Sequence, residues 1–193
     1  VIVPQVTEDE VNNSRWVKEI VEVKLNVAAA EEEPAEEEPV EEEPAFVIPV
    51  PAKVVVSNQA LTVDGQAVDV QAYNIDGANY FKLRDLAFAL NGGAKQFDIS
   101  FDAASASIDL LPGQAYTPAG GEMAPAASGG ELKAGASTHQ LLLMQAPALA
   151  QAYNINGNNY FMLRDMGRLL DFYVGWDGGR QAVIVNTGQG YAE

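Results

Sequence analysis

Few side chains in this chain are suited to catalysis. Three carboxylates, Asp98, Asp102 and Asp109, lie close together in the sequence, and a pair of carboxylates can cleave a glycosidic bond by acid–base chemistry. We expect all three to occupy solvated hairpin positions, and only Asp102 has a counterpart, Asp177. The sequence has no Ser-His-Asp set with convergent partners, no phosphate-binding loop followed by lysine and no His-Glu metal motif. We therefore predict that the chain is not an enzyme.

Ligands for metals are equally scarce. The sequence contains 1 histidine, His139, and 0 cysteines. A copper site built on imidazoles needs several histidines, and a thiolate site or a disulfide framework needs cysteines. We expect His139 to be a solvated loop residue, and we predict no metal and no cofactor.

Charge and hydropathy narrow the choice of partners. The net charge is −16, but nine glutamates lie in one tract, and without them it falls to −7. With 11 Lys and Arg and no basic cluster, nucleic acid and anionic membrane surfaces are disfavoured. No apolar run approaches the roughly 20 residues of a membrane helix, so no transmembrane segment is expected. The absence of cysteine fits export, and the start at Val1 without a leader indicates either a processed mature chain or a fragment, with any signal peptide absent from this sequence.

An internal repeat is the most informative feature of the sequence. Residues 71–90 align with residues 151–170 at an offset of 80, with 13 of 20 positions identical, and the alignment resumes later at an offset of 75. One charged pair recurs in both copies, as Arg84-Asp85 and Arg164-Asp165. Guanidinium groups can bind carboxylates or sugars. The apolar run beside each pair favours a structural role instead, in which Asp caps a helix and Arg bonds loop carbonyls or a partner carboxylate.

Each copy predicts the same succession of elements. Apolar alternation around a turn predicts a first hairpin, and a second turn falls at Gly77 or Gly157. A short helix opening at Asp85 or Asp165 follows, and then a final hairpin. This order predicts an α+β fold with two copies of a small, mainly antiparallel β-sheet unit, each with one short helix. In the second copy residues 141–147 replace the Asp-Gly hairpin, and the proline restricts a strand there to a sheet edge.

Five segments are predicted along the chain. Residues 1–28 form an extension with a helix and a strand, because apolar and polar residues alternate near its end. Residues 29–47 form an acidic Glu/Pro spacer, which charge repulsion and proline keep extended. The two repeat units span residues 48–116 and 139–193, and a Gly/Ala/Pro-rich linker spans residues 117–138.

The repeated motif resembles a known family. The stretches YNIDGANYFKLRD and YNINGNNYFMLRD, with VGWDGGRQAVIV downstream, are similar to copper amine oxidase N-terminal-like domains, also called stalk domains. The resemblance covers roughly residues 53–193. It implies a small α+β fold in exported surface proteins of Firmicutes, often in tandem, and it implies no known ligand. In the oxidases the copper and the redox cofactor belong to a separate catalytic domain.

Three functions fit these features. We favour a non-catalytic, stalk-like structural or assembly module of the cell surface, which forms a homo-oligomer or joins another surface protein through an N-terminal strand. The apolar residues of that strand are Val21, Val23, Leu25 and Val27. The first alternative is a module that binds cell-wall glycan or another polysaccharide, with Tyr80, Tyr160, Trp176, Asn79 and Asn159 as candidate ligand-binding residues. The second alternative is a C-terminal accessory part of an exported enzyme.

Overall fold

A computed structural model of the chain describes residues 46–51, 53–125 and 132–192. These residues are mostly β-structure with two short helices, which confirms the α+β class. The extension predicted at residues 1–28, including its strand, and residues 29–45 of the acidic spacer lie outside the described residues. Neither described helix is long and apolar enough to cross a membrane.

The elements of the first repeat end in a hairpin that precedes the Gly-rich segment. They are β1 (Val54–Val56), β2 (Ala60–Val63), β3 (Gln66–Val68), β4 (Ala72–Ile75), β5 (Ala78–Lys82), α1 (Leu83–Leu90), β6 (Phe97–Asp102) and β7 (Ser107–Pro112). The elements of the second repeat follow the same order. They are β8 (Ala134–Ala136), β9 (Gln140–Leu143), β10 (Ala146–Pro147), β11 (Ala152–Ile155), β12 (Asn158–Met162), α2 (Leu163–Leu170), β13 (Tyr173–Asp177) and β14 (Ala182–Asn186).

A six-stranded antiparallel sheet joins the two repeats. Its strand order is β1-β4-β5-β12-β11-β8, so that β5 and β12 meet at the centre. Phe81 lies opposite Phe161 there, with Tyr80 opposite Met162 and Lys82 opposite Tyr160. Tyr80 and Tyr160 are equivalent in the repeat, as are Lys82 and Met162, so the two flanking pairs are copies of one another. The pairing therefore has local two-fold symmetry.

Two smaller sheets exchange hairpins between the repeats. One has the order β13-β14-β2-β3 and the other has the order β10-β9-β7-β6. In each of them the first hairpin of one repeat pairs with the final hairpin of the other, through the parallel contacts β14·β2 and β7·β9. The alternation of apolar residues sets which face of a hairpin is buried, but it leaves the partner strand open. The partner here is supplied by the other repeat.

The central sheet is buried on both faces. Phe81 and Phe161 lie on the face that packs against both helices and both small sheets. Four tyrosines lie on the opposite face with Ile75 and Ile155, and they are Tyr73, Tyr80, Tyr153 and Tyr160. Adjacent residues of a strand point to opposite faces, so Tyr80 and Phe81 enter two different cores.

Both helices begin earlier than the sequence predicts. They start at Leu83 and Leu163, after Lys82 and Met162, and neither of these preceding residues makes a side-chain capping bond. The prediction that Asp85 and Asp165 are N-cap residues is therefore wrong. Both aspartates lie in the first helical turn, where a negative charge still interacts favourably with the helix dipole.

The segment predicted as a linker contains a strand. β8 pairs with β11, as β1 pairs with β4, and it extends the central sheet to its sixth strand. It consists of Ala134, Gly135 and Ala136, which give no apolar alternation for sequence analysis to detect. Before it, residues 117–125 approach α1, because the N–H of Met123 donates to Asp85 Oδ1 at 3.0 Å.

Residues 141–147 form a tight hairpin without an Asp-Gly pair. Met144 and Gln145 take φ values of 52° and 67°, as the two central residues of a type I′ turn require. Pro147 lies in β10 at the edge of its sheet, where the missing N–H breaks no ladder.

Candidate functional site

Two concave surfaces occupy matched positions in the described part of the chain. The first cleft has a volume of about 350 Å³ and includes Arg84, Phe101, His139 and Asn159 in its lining. The second cleft has a volume of about 250 Å³ and includes Arg164, Trp176, Gln59 and Asn79. Each of these residues corresponds to one in the other cleft at an offset of 80 or 75. The second cleft therefore repeats the first.

Each cleft is built by both repeats. In the first cleft, Arg84 comes from the start of α1 and Phe101 from β6, whereas Asn159 comes from β12. The hairpin exchange and the β5·β12 pairing bring these elements together. Neither cleft would be complete in one repeat alone.

An exposed aromatic ring forms one wall of each cleft. Phe101 lies in β6 and is 53% exposed, and Trp176 lies in β13 and is 50% exposed. In the first cleft the ring centroids of Phe101 and His139 are 5.5 Å apart. A large apolar side chain left half in water at the rim of a concavity is available to stack on a ligand.

Arg84 and Arg164 lie on the exposed faces of their helices. Within the described residues neither guanidinium makes a hydrogen bond or an ion pair, so the prediction that they bond loop carbonyls or a carboxylate is wrong. Other cations have partners, in the ion pairs Lys82–Asp85, Lys95–Asp171, Arg168–Asp165 and Arg180–Asp177. The two arginines therefore keep their forked donors for a ligand.

A chain of hydrogen bonds fixes the polar side of the first cleft. The N–H of Gly157 donates to Asn154 Oδ1 at 3.1 Å, so Asn154 Nδ2 donates to Asn159 Oδ1 at 3.2 Å. Ser137 Oγ donates to the same oxygen at 3.2 Å. Asn159 Nδ2 then faces His139 Nδ1 at 3.2 Å. Because an amide nitrogen only donates, His139 Nδ1 accepts and the proton of the neutral ring lies on Nε2.

The same chain recurs in the second cleft. The N–H of Gly77 donates to Asn74 Oδ1 at 3.2 Å, and Asn74 Nδ2 donates to Asn79 Oδ1 at 3.3 Å. Ser57 Oγ donates to that oxygen at 3.4 Å. Asn79 Nδ2 donates to Gln59 Oε1, which takes the place of the imidazole. Gln59 Nε2 is left to face solvent or a ligand.

The predicted binding residues are only partly brought together. Trp176 and Asn79 line the second cleft, and Asn159 lines the first. Tyr80 and Tyr160 are 2% and 5% exposed, so their proposed role as an exposed stacking platform is wrong. Burial raises the pKa of both phenols, and Tyr80 Oη donates to Gln151 Oε1 at 2.8 Å.

The tyrosines instead hold the two repeats together. Tyr73 and Tyr160 pack edge to face with their ring centroids 4.8 Å apart, and Tyr80 and Tyr153 pack likewise at 5.3 Å. Each pair takes one ring from each repeat. Such geometry contributes about 0.5 to 1.5 kcal/mol per pair beyond the buried area.

The aspartates of the repeated pair fasten loops to the helices. Asp85 is buried, and it accepts the N–H of Met123 as described above. Asp165 Oδ2 accepts the N–H of Gln151 at 2.7 Å. Gly77 and Gly157 both take positive φ at their turns.

The three candidate catalytic carboxylates are used as hydrogen-bond acceptors. Burial alone would raise the pKa of Asp98, but bonds from Thr117 and from the N–H of Ile99 outweigh it and lower the pKa. Asp102 accepts bonds from the turn that follows it, chiefly from Ser105 Oγ, which lowers its pKa. Asp109 is buried and accepts the N–H of Gln145, so the expectation that it is solvated is wrong. No group of three or more potential metal ligands is found among the described residues.

The expectation that His139 is a solvated loop residue also needs correction. It precedes β9, is half-buried and belongs to the polar chain of the first cleft. Sequence reasoning missed His139 and Gln59 because a histidine and a glutamine share no identity in the repeat. His139 follows Gln59 by 80 residues, as Ser137 follows Ser57, and this shared offset is the signal that could have identified them.

Comparison with models of known protein families, with curated proteins and with solved structures finds no match. The resemblance to copper amine oxidase N-terminal-like domains therefore rests on the sequence motifs themselves.

Proposed function

We propose that this chain is a non-catalytic, stalk-like structural module of an exported cell-surface protein, in which two copies of one unit fold as a single body. The exchange of hairpins between the repeats carries this proposal. The exchange makes both small sheets cross the boundary between the repeats, and the β5·β12 pairing makes the central sheet cross it as well. Such a body has no flexible joint at that boundary, which suits a spacer that must hold its length.

The energetics favour a shared core over two separate ones. A unit of about 60 residues buries only about 60% of the surface that its unfolded chain exposes, and is marginally stable alone. Separation would expose the edges of β5 and β12 and leave Phe81 and Phe161 without their neighbours. Unpaired edges and exposed apolar surface both favour aggregation. We expect neither repeat to fold by itself.

Cleavage between the repeats tests the single-body proposal. A protease site placed within residues 126–131 of the full chain divides the repeats without removing a described strand. After cleavage, we expect both fragments to elute together in size-exclusion chromatography and to unfold in one transition. Denaturant should release two unstructured fragments. Two fragments that separate in native buffer and keep their circular dichroism would contradict the proposal.

Assembly through the N-terminal strand is the second part of this proposal. Residues 21–27 lie outside the described residues, and their alternating sequence supports the pairing of a strand with a sheet edge of another molecule. Deletion of residues 1–28 should abolish oligomers or filaments in size-exclusion chromatography and electron microscopy. A second variant, with Val21 and Val23 both replaced by threonine, keeps the length of the chain and should weaken assembly. An unchanged assembly state after the deletion would refute this part.

A polysaccharide-binding module is the second candidate function, and the exposed rings of the two clefts favour it. A pyranose ring has apolar C–H faces that stack on aromatics and a rim of hydroxyl groups that bond amides and guanidinium groups. Glycan arrays and peptidoglycan pull-downs with Phe101→Ala and Trp176→Ala test this role. Phe88→Ala is the matched control, because Phe88 is 44% exposed and lines neither cleft. Binding that survives the two cleft substitutions would exclude the clefts. A role as the C-terminal accessory part of an exported enzyme is compatible with either candidate function.

A further inference from the structure

The unused hydrogen-bonding groups of Arg84, His139 and Asn159 in the first cleft are donors. Asn159 Oδ1 already accepts two bonds, from Ser137 and Asn154, which fill both of its lone pairs. His139 Nδ1 is occupied by Asn159, so Nε2–H is the free group of the ring. Arg84 has donors only. A ligand that satisfies these side chains must supply acceptors.

The second cleft has the same polarity. Asn79 Oδ1 accepts from Ser57 and Asn74, and Gln59 Oε1 accepts from Asn79. The free groups are then the amide hydrogens of Gln59 and the guanidinium of Arg164. Two clefts with different sequences thus present donors at corresponding places.

The charge of the clefts runs against that of the chain. Acidic residues outnumber basic ones by 27 to 11. Arg84 and Arg164 nevertheless have no carboxylate partner among the described residues. A guanidinium binds a carboxylate through two parallel N–H···O bonds, which are about twice as strong as neutral hydrogen bonds. An anionic group is the ligand chemistry that both arginines match.

The exposed aromatic rings favour a ligand with an apolar face, and the cleft volumes limit the size of that ligand. Phe101 and Trp176 offer half-exposed faces. The cleft volumes of about 350 and 250 Å³ lie just above and just below the lower limit of about 300 Å³ for small-molecule sites. A ligand with a carboxylate, many acceptor oxygens and an apolar ring face fits this combination.

We propose that each cleft binds one uronate residue of an acidic polysaccharide, with its carboxylate on Arg84 or Arg164 and its ring on Phe101 or Trp176. This inference rests on the polysaccharide-binding candidate and names its substrate class. The two clefts give the chain two equivalent binding sites for one class of sugar.

Isothermal titration calorimetry of the full chain with trigalacturonate tests the inference. The wild type should bind two molecules per chain. Arg84→Gln and Arg164→Gln should each remove one of the two sites, through an affinity loss of about tenfold or more at that site. Lys53→Gln is the charge control, because Lys53 is exposed and lines neither cleft. It should keep both sites. Circular dichroism and thermal unfolding confirm that each variant is folded.

Two comparison ligands separate the possible outcomes. The trimethyl ester of trigalacturonate keeps the rings and loses the charge, and it should bind about tenfold more weakly. Tri-glutamate carries carboxylates without sugar rings and should not compete. A chain in which the nine glutamates of residues 31–43 are glutamine should bind trigalacturonate at least as well, since fewer carboxylates then repel it.

Equal affinity for the acid and its ester, with no effect of either arginine substitution, would overturn the uronate assignment while leaving saccharide binding intact. Competition by tri-glutamate would overturn it in favour of an acidic peptide. No binding of trigalacturonate, hyaluronate or alginate would overturn it as well. Binding of neutral glycans through Phe101 and Trp176 would then still support the polysaccharide function, and binding of no glycan at all would remove both.

Discussion

Asp64 fastens the first hairpin of one repeat to the end of the other. Its Oδ1 accepts the N–H of Thr187 at 2.7 Å and its Oδ2 accepts Thr187 Oγ1–H at 2.7 Å. Thr187 is only 4% exposed. Replacement of Asp64 by alanine leaves two buried donors unpaired, at about 1 to 3 kcal/mol for each. Asp64 also has φ of 50°, where a residue with a Cβ other than Asn or Asp loses about 1 to 2 kcal/mol. We expect Asp64→Ala to lower the free energy of unfolding by at least about 3 kcal/mol.

Two further substitutions separate the two causes. Asp64→Gly removes the carboxylate without strain and should lose only the hydrogen-bond part. Asp64→Asn tolerates the positive φ and keeps one acceptor oxygen, so it should be the mildest of the three. Urea unfolding of the full chain, followed by far-ultraviolet circular dichroism, gives the free energy of each variant.

A double-mutant cycle with Thr187→Val tests the contact itself. The valine removes Oγ1 and keeps the backbone N–H, so the cycle with Asp64→Gly should report a coupling of about 1.5 to 3 kcal/mol for the charge-assisted bond. Effects of the two substitutions that add without coupling would refute the reasoning. So would a loss for Asp64→Ala of less than about 1 kcal/mol, because it would mean that water replaces the carboxylate.

Gly167→Ala should destabilise the chain by about 1 to 3 kcal/mol in the same urea assay, because an added Cβ would lie 2.9 Å from the backbone oxygen of Phe172. Its counterpart Ala87→Gly removes a fully buried methyl group as well as helix propensity and should cost about 2 kcal/mol, and a Gly167→Ala chain as stable as the wild type would contradict the steric explanation. Glu122 should titrate far below its ordinary pKa of 4.5, since the hydrogen bond from Tyr116 lowers it to about 2. A depressed pKa means that this contact stabilises the fold above pH 4.5 and is lost as the pH falls towards 2, so carbon-13 chemical shifts of the carboxyl should show no inflection near 4.5.

The elements of each repeat follow from local sequence, and their partners do not. Turn residues such as Gly77 and Asp64 mark hairpins, because few residues tolerate positive φ. The alternation in β14 shows that Val183 and Val185 are buried, but any strand with a matching face would satisfy that pattern. The pairing of β14 with β2 depends on contacts across more than 100 residues of sequence, which periodicity cannot encode.

The candidate site is less predictable from the sequence than the fold is, for a related reason. Trp176, Asn79 and Asn159 were named from the sequence, yet Tyr80 and Tyr160 were named with them and are buried. Successive residues of a strand lie on opposite faces of the sheet, so the alternation suggests that one of Tyr80 and Phe81 is exposed. Both faces of the central sheet are covered, and both residues are buried. The arginines were recognised as a repeated pair, but a missing partner is visible only in three dimensions.

The hairpin exchange sets a rule on repeat number. The two repeats exchange hairpins reciprocally around the two-fold pairing of β5 with β12, so repeats are satisfied in twos. A chain with three such units would leave one hairpin and one receiving strand open, and a second chain with the same surplus could fill them. Proteins built this way should therefore carry even numbers of units when they are monomers, and an odd number would commit them to pairing between chains.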